Sequence, residues 1–195
     1  MNQLKLFGFL LITIAVQSCC QKLYFKKDEL SWVKPYDVDD IFVFKSDKNN
    51  IDSLRIVRKD CTKPKDSREC NWFVSYYLSE SVRIDYQVYH DGKWSNTMNL
   101  LNLEKRPKGE TNELILRVFQ LEYFNKKTIK EETYLSSINK QVSDSYVFTK
   151  DRAYVLDSRI GITKFYWSES LGLVKYISEQ GETWELQTLQ KNNNG

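Results

Sequence analysis

The stretch VRIDYQVYHDGKW, residues 82–94, places Val82, Ile84, Tyr86 and Val88 on one side of an extended chain and Arg83, Asp85 and Gln87 on the other. It then turns at Asp91-Gly92 into Trp94. A period of two with one apolar side marks a half-buried antiparallel strand. An Asp-Gly pair after such a run marks a tight hairpin, because both central residues of that turn must accept positive φ. The fold class follows from this stretch if the rest of the chain repeats its pattern.

It does. Residues 41–45 (IFVFK), 54–58 (LRIVR) and 72–78 (WFVSYYL) are short, apolar and β-branched or aromatic. The chain closes on three more runs, 162–167 (ITKFYW), 173–178 (LVKYIS) and 183–188 (TWELQT), separated by SESLG and EQGE turns. Ala, the best helix former, occurs only at Ala15 and Ala153, while 14% of residues are aromatic, a bias toward sheet. Residues 114–124 (LILRVFQLEYF) also satisfy a helical spacing, and their aromatic and β-branched content predicts a strand. Residues 125–132 read as a charged loop or short helix. Residues 146–149 and 153–156 read as a hairpin about 150–152. Together these predict one all-β antiparallel domain of about nine or ten strands over residues 39–190, curved into a half-barrel or a sandwich.

The N-terminus is organised differently. Residues 6–16 (LFGFLLITIAV) are uncharged and follow Lys5. Eleven residues are too few to span a bilayer core, which needs ~20, but they match the core of a signal peptide. The run ends Val16-Gln17-Ser18-Cys19, which resembles the lipobox of bacterial lipoproteins: an aliphatic residue, a small residue, then the cysteine that is acylated. The resemblance implies a signal peptide over 1–18 and a lipid anchor at Cys19; Cys20 would put polar Gln17 at the aliphatic place. The mature chain would then be held at a membrane face rather than span it, with 19–38 as lipidated N-terminus, tether and first packing segment and 191–195 as a disordered tail. Cys20 is not the aspartate that retains lipoproteins in the inner membrane, so the outer membrane is expected, with the periplasmic or surface side left open.

The closing strands resemble a loose group of small, uncharacterised lipoproteins of outer-membrane bacteria. Gly172, Leu173, Val174, Lys175, Tyr176, Gly181, Trp184, Glu185 and Leu186 match the group's pattern, and Val43–Ser46 leading to Ile51-Asp52 is similar. That resemblance implies an all-β lipoprotein and carries no activity or site with it.

Chemistry is sparse. Removing Lys5 with the leader leaves 28 Lys and Arg against 26 Asp and Glu, too balanced and too interspersed to point to nucleic acid. His90 is the only histidine, which removes the multi-histidine zinc sites, and its place beside the Asp-Gly turn explains it structurally. There is no nucleophile elbow, P-loop or dinucleotide fingerprint, and no cofactor is expected. The acidic run Asp37-Val38-Asp39-Asp40 lacks the spaced ligands and glycine of a calcium loop and reads as a solvated approach to a strand. Cys61 and Cys70 bracket eight polar residues between two expected strands and predict a disulfide in an exported chain. Two functions remain. The first is non-catalytic binding or assembly at the membrane, with an apolar, glycan or protein ligand. The second is a small envelope hydrolase using paired carboxylates.

Overall fold

The computed structural model describes residues 21–64, 77–90, 92–124, 129–156 and 161–191. The expected signal peptide, Cys19, Cys20, Cys70, most of the 72–78 run, Asp91 and the tail beyond Lys191 lie outside the described residues. The described chain is all-β, and every ladder of its large sheet is antiparallel.

The strands in chain order are β1 (Gln21–Leu23), β2 (Ile41–Ser46), β3 (Ile51–Thr62), β4 (Tyr77–Ser79), β5 (Ser81–His90) and β6 (Lys93–Trp94). Then come β7 (Met98–Glu104), β8 (Glu113–Val118), β9 (Leu121–Phe124), β10 (Ile129–Lys130), β11 (Thr133–Leu135) and β12 (Lys140–Val142). The last are β13 (Ser145–Thr149), β14 (Tyr154–Val155), β15 (Ile162–Ser168), β16 (Gly172–Ser178) and β17 (Thr183–Gln190). Ten of these have four or more residues, the number the alternation marks out; the others are short pieces without a period of their own. Thirteen strands form one sheet in the order β10-β13-β15-β16-β17-β2-β3-β5-β7-β8-β9-β14, with β6 paired to β5.

The sheet curls into a half-barrel. Register shifts interrupt the β3–β5, β5–β7, β15–β16 and β17–β2 ladders, and such bulges bend and twist a strand. The curl brings the ends of the sheet together. β9 pairs with β14, Leu121 opposite Val155, and β10 pairs with β13, Ile129 opposite Val147. Stepping eight residues on from Leu121 and eight back from Val155 reaches Ile129 and Val147, so one register covers both ladders. Between them Tyr123 fills the seam: its hydroxyl donates to the Thr149 carbonyl, and its ring lies 4.9 Å from that of Phe148.

The concave side is the core. Trp167, Tyr36, Tyr86, Tyr176, Phe42, Phe44 and Phe165 are its largest fully buried side chains. The buried hydroxyls find partners: Tyr86 accepts the Phe119 N–H at 2.9 Å, and Tyr176 donates to Asp52 at 3.0 Å. Burial pushes both phenols up, and the Asp52 carboxylate reinforces this for Tyr176.

Several expectations are corrected. Residues 114–124 form a hairpin, β8–β9, that turns at Phe119-Gln120 rather than one strand. Phe119 takes φ +53° there, held by its hydrogen bond to Tyr86. β13 and β14 are not a hairpin; they are two parts of one side of the seam, paired to β15 and β10 and to β9. β3 pairs with β2 and β5, and β4 pairs parallel with β1. Cys61 is exposed on β3, and its expected partner Cys70 lies outside the described residues.

The segment before β2 packs more than a tether would. Leu23, Val33 and Tyr36 are buried, and Trp32 lies 5.1 Å from Tyr146 across one end of the half-barrel. Tyr36 plugs that end: its ring is 5.0 Å from Phe42 and 5.4 Å from Trp167, and its hydroxyl accepts the Leu173 N–H at 2.7 Å.

Candidate functional site

Curling a sheet around aromatic side chains fills its inside, so a site must be sought on its outer wall. There a trough of about 330 Å³ runs across β3, β5, β7 and β8. The register builds it in two rows: Asp60, Arg83, Asn102 and Ile115 are opposed in one, Thr62, Ser81, Glu104 and Glu113 in the next. Each row is one outward set of four neighbouring strands, about 5 Å apart.

Charge pairs pin the trough on both flanks. On one, Asp85 is buried on the outer face, where alternation alone would have left it in solvent. Arg83 Nε donates to it at 2.9 Å, Asn99 Nδ2 at 3.1 Å, and Arg58 lies 3.6 Å away. Arg58 also approaches Asp60 at 3.7 Å, so the two arginines and two aspartates form one line. On the other flank, Arg106 hydrogen-bonds Glu113 and the Tyr77 hydroxyl, the latter at 2.7 Å, and lies 3.7 Å from Glu104. Those carboxylates hold the guanidinium in its charged form.

This is a poor arrangement for paired-carboxylate hydrolysis. A general acid needs a carboxyl raised toward neutrality. Glu104 and Glu113, the adjacent carboxylates of the trough, share one arginine instead. Elsewhere several carboxylates are held below their ordinary range. Burial pushes Glu29 up, but hydrogen bonds from Lys105, the Lys26 backbone and Asn112 outweigh it and hold the group at about 2. The same balance lowers Asp144, where Ser168 and Ser170 donate, and Glu185, where Lys175, Ser136 and Ser137 donate.

The acidic run 37–40 is closed by lysines. Lys59 donates to the Tyr36 carbonyl and to Asp37 Oδ1 at 3.0 Å, and Lys191 donates to the Pro35 carbonyl at 2.9 Å and to buried Asp40 at 2.6 Å. Lys59 holds the Asp37 carboxyl below its usual range. Two ammonium groups stand where a calcium ion would need to be, and the run instead clamps the start of β2 to the end of β17. No group of three or more metal-ligating side chains occurs among the described residues.

Of the residues singled out by sequence, His90 ends β5 opposite Lys93, and Gly92 takes φ +78° in the tight turn. Cys61 lies one residue from the trough-lining Asp60 and Thr62, on the opposite face of β3. The trough itself had no sequence signal, because it exists only once four strands are in register. No protein-family model, no curated protein and no solved structure matches this chain.

Proposed function

We propose that the protein is a lipoprotein of the bacterial envelope, anchored through acylated Cys19, whose half-barrel has a non-catalytic binding role. The trough on the outer wall is the observation that carries the binding part. Its surface offers hydroxyls at Thr62 and Ser81, an amide at Asn102, and charges of both signs held in place by their partners. A rigid row of mixed donors and acceptors suits a polyhydroxylated ligand, a glycan, better than an apolar one, for which the filled concave side leaves no room. The anchor part rests on the lipobox and the resemblance of the closing strands to outer-membrane lipoproteins; Cys61 and Cys70 are proposed to be joined in the exported chain.

The test is to titrate the purified protein with a panel of oligosaccharides by calorimetry, alongside Asn102→Ala and Ser81→Ala. Saturable binding weakened about tenfold or more by either substitution supports the reading. Binding indifferent to both, or turnover of the sugar by the wild-type protein, refutes it.

A further inference from the structure

At the barrel end beside β1 the described chain is packed against the domain from its first strand onward. We propose that this end is a membrane-contact face lying directly on the lipid headgroups, with Tyr24, Lys26 and Lys27 at the interface. The proposal rests on acylation of Cys19.

The first paired residue, Gln21, is opposite Tyr77 in the β1–β4 ladder. Two residues after Cys19 reach at most ~7 Å even fully extended, so β1 begins within that distance of the acylated residue. After β1 the chain is tied back to the domain at several points. Leu23 is buried, the Phe25 N–H donates to Glu80 at 2.7 Å, and Glu29 is held by Lys105 and by Asn112 at 3.1 Å. Val33 and Tyr36 then enter the core. Only Cys20 separates this packed chain from the acylated residue, which limits how far the domain can turn away from the membrane.

The surface at that point suits headgroups. Tyr24 is 51% exposed although its neighbour Leu23 is buried, and an aromatic ring with a polar tip is the side chain favoured at a bilayer interface. Lys26 and Lys27 follow it in the open, where each cation gains from anionic lipid. Of the acidic groups beside them, Glu29 is already neutralised by Lys105, which leaves the exposed Asp28 against two exposed lysines. The β2–β3 turn, including Asn49, lies at the other end of the strands, about 30 Å away by strand rise and tilt.

The experiment uses the full acylated protein in vesicles containing phosphatidylglycerol and a headgroup spin-labelled lipid. A fluorescent amino acid replaces Tyr24 in one sample and Asn49 in another. Quenching severalfold stronger at position 24 than at 49 is expected, and Lys26→Gln with Lys27→Gln should reduce that contrast without changing acylation. Equal quenching at both positions, or stronger quenching at 49, overturns the contact face while leaving the anchor intact. Mass measurement of the same samples reads the anchor separately: an unmodified Cys19 overturns both.

Discussion

Gly172 and Tyr36 lie 136 positions apart in sequence but almost in contact at the plugged end of the half-barrel, and their coupling can be measured. Gly172 takes φ +80°, and a Cβ built there would lie 2.2 Å from the Tyr36 hydroxyl oxygen and 2.4 Å from the ring carbon bearing it. Gly172→Ala therefore carries two penalties. A non-glycine residue in the left-handed region costs ~1–2 kcal/mol, and forcing a methyl into a packed site costs a further ~1–3 kcal/mol. Tyr36→Leu removes the atoms the methyl would strike. By itself it costs about 2–4 kcal/mol, through lost packing and the Leu173 N–H left without its acceptor. In the Tyr36→Leu background, Gly172→Ala should then cost only the backbone part, so the double variant should be about 1–3 kcal/mol more stable than additivity gives. Urea unfolding of the four proteins, followed by tryptophan fluorescence, yields the coupling directly. Additivity within ~0.5 kcal/mol would mean that Tyr36 does not occupy this place, and that the segment before β2 is a tether after all.

Three further outcomes can be checked. Glu29 falls from its ordinary 4.5 to about 2 in the folded protein, so its pairing stabilises above about pH 4.5 and is lost as pH drops toward 2. Glu29→Gln should remove on the order of 1 kcal/mol at pH 7, after allowance for solvent screening, and flatten the acid limb of a thermal-stability profile between those values; an unchanged limb would contradict the pairing. Gly92→Val should lower stability by ~1 kcal/mol or more in thermal unfolding, because a β-branched residue resists φ +78°, whereas His90→Gln should stay within about 0.5 kcal/mol. For the proposed bridge, peptide mapping of the native protein without reductant should recover residues 61 and 70 in one linked species, and two free thiols would exclude it.

What the sequence revealed and what it hid divide along a physical line. Strands with one face in the core and one in water announce themselves by alternation. Val82, Ile84, Tyr86 and Val88 are buried as their period requires, and the closing meander of β15, β16 and β17 pairs as its turns suggest. Features fixed by tertiary partners leave no such trace. The turn at Phe119-Gln120 contains neither Gly nor Pro, and its positive φ is fixed by the Tyr86 hydroxyl from another strand. β10 and β14 are two residues each, and only the shared register of the seam makes them strands. Asp85 follows the polar phase of its strand, yet it is buried because Arg58, Arg83 and Asn99 converge on it. The trough depends on that same convergence, so its binding groups looked like ordinary solvated positions of alternating strands.

The account stands most directly on the anchor. Cells making the wild-type protein or Cys19→Ala would be fed a clickable fatty acid, and the protein followed by label and by membrane fractionation. The wild-type protein should carry label and sediment with the envelope, and Cys19→Ala should lose the label and leave the membrane fraction. Undiminished labelling of Cys19→Ala, or a wild-type protein that is never acylated, would contradict it.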